Sequence, residues 1–125
     1  MLAEEVKIIG ADGRLVCSAA VADNPLTRLR GLLGRASLAV GEGMLIRPAP
    51  SIHTFFMRFA IDAVFLDADY RVLAVERSIG PWRVAGRRGA RAVLELGAGD
   101  AARGRLREGE TLRLAHVRGG NGYAR

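Results

Sequence analysis

The sequence predicts a mainly β protein, a compact antiparallel β sandwich or barrel with one or two short helices. Three observations predict it. Short runs rich in Val, Ile, Leu and Phe recur along the chain, separated by Gly, Asp, Asn or Pro turn signals. Only one stretch shows clear helical spacing. Helical patterns do not alternate with strand patterns often enough for a parallel α/β sheet.

Two β-prone runs in "EVKIIGADGRLVCSAAVA" flank "ADG". Asp-Gly supplies the positive φ of a tight turn, so a hairpin is expected over roughly 5–10 and 13–20. In "DNPLTRLRGLLGR", Asp23 or Asn24 can cap a helix and Pro25 suits its first turn. Leu26, Leu29, Leu32 and Leu33 recur at helical spacing, and Gly34 is a stop, giving a short helix at about 25–33. "GEGMLIRP" reads as a turn and a strand, closed by Pro48 and Pro50. "SIHTFFMRFAIDAVFLD" is the most apolar run, and "ADYRVLAVERS" continues it after a turn at 67–69. "IGPWRVAGRRGAR" reads as a long loop and "AVLEL" as a strand. "GAGDAARGRLREGE" suggests one or two helical turns, "TLRLAHV" is the last strand, and "RGGNGYAR" reads as a disordered tail. The expected division is one domain over 1–117 and a tail over 118–125.

At 125 residues and 50% hydrophobic content the chain can bury a core without staples. No apolar run reaches the roughly 18 residues that span a bilayer. The start, "MLAEEVKIIG", does not read as a secretory signal, so a cytoplasmic protein with no membrane contact is expected. The single cysteine, Cys17, fits a reducing compartment and reads as a packed thiol. The net charge is +6 and the pI about 10.9, which favours an anionic partner. Lys7 is the one lysine among 19 basic residues, an arginine skew that GC-rich codon usage also produces. Nucleic acid is therefore the lesser expectation. The residues imply no oligomeric state.

The blocks "RLRGLLGR", "GML", "FFMRFAID" and "LELGAG" occur in order, at Arg28, Gly31 to Arg35, Gly43 to Leu45, Phe55 to Asp62, and Leu94 to Gly99. In this the chain resembles the DUF192 (UPF0127) family of uncharacterised proteins over about residues 21–114. The resemblance implies a compact β-rich fold and no particular activity. Phe56 stands where many members have Trp, and Phe59 and Ala60 replace a polar and a proline position, so this branch is expected to differ in its pocket.

The apolar run carries His53, Thr54, Arg58 and Asp62, which need partners or water if buried. Read as extended over 53–59, it puts His53, Phe55, Met57 and Phe59 on one face, and Thr54, Phe56 and Arg58 on the other. His53 and Thr54 are either pinned structural groups or the edge of a pocket. Asp62 is a turn cap, an ion-pair partner of Arg58 or another arginine, or a base. Glu95 faces away from Leu94 and Leu96, towards solvent, a buried arginine or a site. The segment 77–91 has five arginines and no acid. Trp82 beside Arg83 suits a ring or sugar held with an anion.

The leading expectation is a small domain binding a polar or anionic small ligand near His53 and Trp82, with Thr54 and Arg83 in the lining and Asp62 in support. One alternative is a hydrolase-like enzyme using His53 and Asp62 as acid–base groups. Another is an Arg-rich nucleic-acid-binding module. No nucleophile elbow, phosphate loop or two-histidine metal motif is present, so no metal and no cofactor is expected, and no catalytic residue is assigned.

Overall fold

A computed structural model describes residues 4–23, 38–55 and 57–117. The helix expected at 25–33 and the tail expected at 118–125 lie outside the described residues. The fold is mainly β, as the turn spacing predicts. A seven-stranded mixed sheet carries a two-stranded sheet and, among the described residues, one short helix.

Strands β1 (Glu5–Ile9) and β2 (Leu15–Ala22) form the expected hairpin. Gly13 takes φ +90° at its turn, a region glycine enters without steric cost. The third strand, β3 (Glu42–Ile46), pairs parallel with β2, the one parallel pair among the described residues. A parallel neighbour needs a crossover of a dozen residues or more, and the chain between Ala22 and Glu42 is long enough. Then follow β4 (Ser51–His53), β5 (Ile61–Leu66), β6 (Val72–Ile79), β7 (Val84–Gly86), β8 (Ala92–Gly97), helix α1 (Asp100–Arg103) and β9 (Arg113–His116). The sheet order is β6-β5-β8-β3-β2-β1-β9, with β4 and β7 paired separately.

The edges β6 and β9 meet at one end. Arg71 bridges Thr111, Val72 donates its N–H to Glu110 O at 2.7 Å, and Leu112 donates to Tyr70 O at 2.9 Å. The sheet therefore curls towards a barrel. Period-two alternation sorts its side chains into two cores. Val64 and Leu66 of β5, Leu94 and Leu96 of β8 and Leu45 of β3 join Val6, Ile8 and Cys17 in one. Ile61, Ala63 and Phe65, with Val93, Met44 and Ile46, join Ile52 of β4 and Ala85 of β7 in the other. Every residue of β5 and β8 is buried, the expected outcome when both faces of a strand are covered.

Two sequence expectations change. The extended run over 53–59 does not form, because β4 stops at His53. The Thr54 carbonyl accepts the N–H groups of Met57 and Trp82, at 3.2 and 3.0 Å, which turns the chain out of strand pairing. The long loop expected at 77–91 is interrupted, since β6 reaches Ile79 and Val84–Gly86 pairs with Ser51–His53.

One clamp ties the hairpin to the chain after α1. All the N–H-bearing nitrogens of Arg14 are engaged. Its Nε donates to Gly104 O at 2.7 Å and Nη2 to Arg105 O at 3.0 Å. The Nη1 and Nη2 groups grip Glu110 at 2.7 and 3.0 Å, and Nη1 also reaches Asp12 at 2.7 Å. The hydrogen bond from Arg14 holds Glu110 below the usual carboxylate range, against the opposing effect of burial.

Candidate functional site

Thr54 is fully buried and clips the loop between β6 and β7. Its Oγ1 donates to Gly80 O at 2.7 Å and accepts the Arg83 N–H at 2.8 Å. Its backbone N–H donates to Arg83 O at 2.8 Å, while its carbonyl holds the Trp82 N–H. The tight loop this makes includes Pro81 and puts Trp82 at φ +62°, a left-handed conformation that side chains other than Gly, Asn and Asp rarely adopt.

Trp82 is 60% exposed. Its ring stacks on Phe55 at 5.6 Å between centroids and 26° between planes, and Phe55 stacks on His53 at 4.7 Å and 29°. The three rings form a continuous aromatic row. His53 Nδ1 accepts the Phe55 N–H at 3.3 Å. Val84, opposite His53 in the β4–β7 register, is 69% exposed. Arg83 is exposed. Among the described residues no acid pairs with its guanidinium.

Asp62 lies elsewhere. It is fully buried, on the face of β5 that it shares with Val64 and Leu66. Among the described residues the partners of Asp62 are backbone N–H groups, and not the arginine that one of its three readings expected. Oδ1 accepts the Ser78 N–H at 2.9 Å, and Oδ2 accepts those of Gly99 and Ala101 at 3.0 Å each. The β5–β6 register shifts here, leaving Arg77 and Ser78 as a bulge opposite Asp62, and Ser78 takes φ +54°. Gly99 at φ +94° aims its N–H at the same carboxylate. Asp62 thus pins the bulge of β6 and the start of α1. Arg58 is exposed and, among the described residues, makes no ion pair with Asp62.

Glu95 is fully buried, level with Met44 and Ala63 on the adjacent strands, so its solvent-facing reading is overturned. Cys17 is buried, and burial first, then the charge of Asp100, pushes its thiol up to about 12; it is a packed thiol. Among the described residues no three His, Cys, Asp or Glu side chains gather as a metal site. No described helix is long and apolar enough to cross a membrane.

The structure therefore brings His53, Thr54, Trp82 and Arg83 together and keeps Asp62 apart. Phe55 is the residue that sequence reasoning missed. Its signal was present in "HTFF", an aromatic two residues after His53, but its join to Trp82 is a contact between distant segments.

Fold and site define a small β domain with an exposed aromatic row set on a buried polar clip. The chain belongs to DUF192, the family described as Uncharacterized ACR, COG1430, whose pattern matches residues 7–114. It is 33% identical to the UPF0127 protein PH1112 of Pyrococcus horikoshii over 87 residues, 67% of this chain and 71% of that one. A Sinorhizobium meliloti 1021 protein proposed as a transcription regulator superposes with a TM-score of 0.76 at 25% identity, over 91% of this chain and 96% of that one. A protein of unknown function from Novosphingobium aromaticivorans DSM 12444 superposes with a TM-score of 0.72 at 24% identity, covering 87% and 83%, and shares the fold.

Proposed function

We propose that the protein binds a small anionic ligand bearing a ring or sugar, which stacks on the row ending in Trp82 while Arg83 holds its charge. One observation carries this reading. A tryptophan is kept in a left-handed conformation and largely exposed by a buried threonine that bonds the loop from both sides. Such strain persists only where the surroundings fix it, and it gathers at binding sites. Stacking on an aromatic face supplies affinity, and arginine adds a planar, permanently charged fork for carboxylate or phosphate. Asp62 supports the site indirectly, through the β6 bulge that precedes the loop. The hydrolase reading gains nothing from Asp62, whose oxygens already accept three backbone N–H groups.

Trp82 is the chain's only tryptophan, so intrinsic fluorescence reports on this site alone. Adenosine monophosphate should quench it saturably, and adenosine and inorganic phosphate should do so more weakly. Absence of saturable quenching by any ring-bearing anion would refute the reading.

A second reading, single-stranded nucleic acid, is favoured by the proposed role of the Sinorhizobium relative and by the pairing of stacking rings with arginine. A steep salt dependence of oligonucleotide binding, lost on Trp82→Ala, is its signature.

A further inference from the structure

A cleft of about 470 Å³ opens between the β1–β2 turn, the bulge of β6 and the segment after α1. Four arginines line it, Arg14, Arg77, Arg105 and Arg107, against one acid, Asp12. They come from three separate stretches of chain. Arg14 is engaged by the Glu110 clamp, and Arg105 sits 3.8 Å from Asp12. Arg77 and Arg107 are exposed, and among the described residues neither guanidinium has an ion-pair partner. The cleft thus holds two uncompensated positive charges on a concave wall.

The backbone beneath these side chains is fixed. Arg105 takes φ +56°, with its carbonyl held by Arg14 Nη2. Ser78, next to Arg77, takes φ +54°, with its N–H on buried Asp62. Left-handed non-glycine residues persist only where the structure over-determines them. Two of the four that the described chain contains therefore set the positions of cleft arginines.

We propose that this cleft is a second binding site, for a small compound carrying a diphosphate group, with one phosphate on Arg77 and the other on Arg107. Arginine presents two parallel N–H donors that match phosphate oxygens, and two uncompensated cations match a ligand of at least two negative charges. A concave wall with an excess of positive charge also concentrates such anions from solution. The assignment shares no residue with the Trp82 row and stands independently of it.

Titration calorimetry of the full chain with inorganic pyrophosphate, at about 0.15 M salt, tests this. Saturable binding is expected, with the cleft as the tighter site. Arg77→Ala and Arg107→Ala should each weaken it about tenfold, the typical effect of losing a charged hydrogen-bonding partner. Arg88→Ala, which removes the same charge from an exposed turn, should change it by less than about twofold at this screening. The proposal is overturned if pyrophosphate shows no saturable binding. It is equally overturned if Arg88→Ala weakens binding as much as Arg77→Ala, or if the cleft variants bind like the parent. All substituted side chains are exposed, so circular dichroism should be unchanged.

Discussion

The Oγ1 of Thr54 accepts the backbone N–H of Arg83 at 2.8 Å and donates to Gly80 O at 2.7 Å, so one buried hydroxyl closes the loop that displays Trp82. Thr54→Val keeps the shape and removes the hydroxyl, leaving a donor and an acceptor unsatisfied. A loss of about 1–3 kcal/mol is expected in urea unfolding. The loosened loop should also lower the fluorescence anisotropy of Trp82. Thr54→Ser should restore most of both. A valine variant of parental stability and anisotropy would remove the clip from the account.

The conformation of Trp82 makes a second, unusual prediction. Alanine normally tolerates folding better than glycine, whose extra chain entropy costs about 0.5–1 kcal/mol. At φ +62° the side chain's Cβ carries a penalty of about 1–2 kcal/mol that glycine lacks. Trp82→Gly should therefore be at least as stable as Trp82→Ala, although both lose the stack on Phe55. Both should bind a stacking ligand about tenfold more weakly or worse. Thermal unfolding of the pair decides it: a glycine variant clearly below the alanine variant would show that this backbone is not left-handed in solution.

What the sequence disclosed follows from the range of each interaction. The β1–β2 hairpin was legible because Asp12-Gly13 encodes its turn locally, and the burial of β5 was legible as an apolar run. Trp82 and Arg83 stood out as the one tryptophan beside an arginine in an acid-free segment. Thr54 was named as a candidate, but its work as a clip depends on Gly80 and Arg83, some thirty residues on. Asp62 was open to a turn cap, an arginine pair or a base; its three backbone partners arise only when β6 bulges and α1 begins beside it. Arg14 carried no local signal at all. The parallel pairing of β2 with β3 was equally hidden, since strand direction depends on a crossover and not on the residues paired.

Asp62 and His53 should separate cleanly. Asp62→Ala removes the fully buried acceptor of the N–H groups of Ser78, Gly99 and Ala101, of which only Ala101 is itself buried. One buried orphaned group costs about 1–3 kcal/mol, and the two part-buried bonds add to it, so a loss of about 3 kcal/mol is expected. His53 is half-buried, where water can replace lost polar contacts, so His53→Ala, which removes the Phe55 ring contact among others, should cost about 1 kcal/mol. Urea midpoints measured side by side test the order. If His53→Ala were the more damaging, His53 would belong to the scaffold and not to the binding row.

The Arg14–Glu110 clamp should set part of the acid limit of the fold. Arg14 holds the Glu110 carboxyl below its ordinary value of 4.5. A carboxylate depressed in the folded state adds stability that is fully present above the unfolded value and disappears as pH falls through the folded one. The clamp's contribution should therefore be intact at neutral pH and fade below about pH 4.5. Glu110→Gln keeps the size but not the charge. It should lower stability at pH 7, and its deficit against the parent should shrink as both are acidified. Arg14→Lys keeps the charge but cannot bridge Glu110, Asp12 and the carbonyls of Gly104 and Arg105 at once. It should lose about 2–4 kcal/mol at pH 7, as breaking a largely buried pair does. Unfolding of the three proteins by urea between pH 3 and pH 7 (about the range set by glutamate titration) measures both effects. A Glu110→Gln deficit that stays constant over that range would show that the clamp acts through packing and not through its ionised pair.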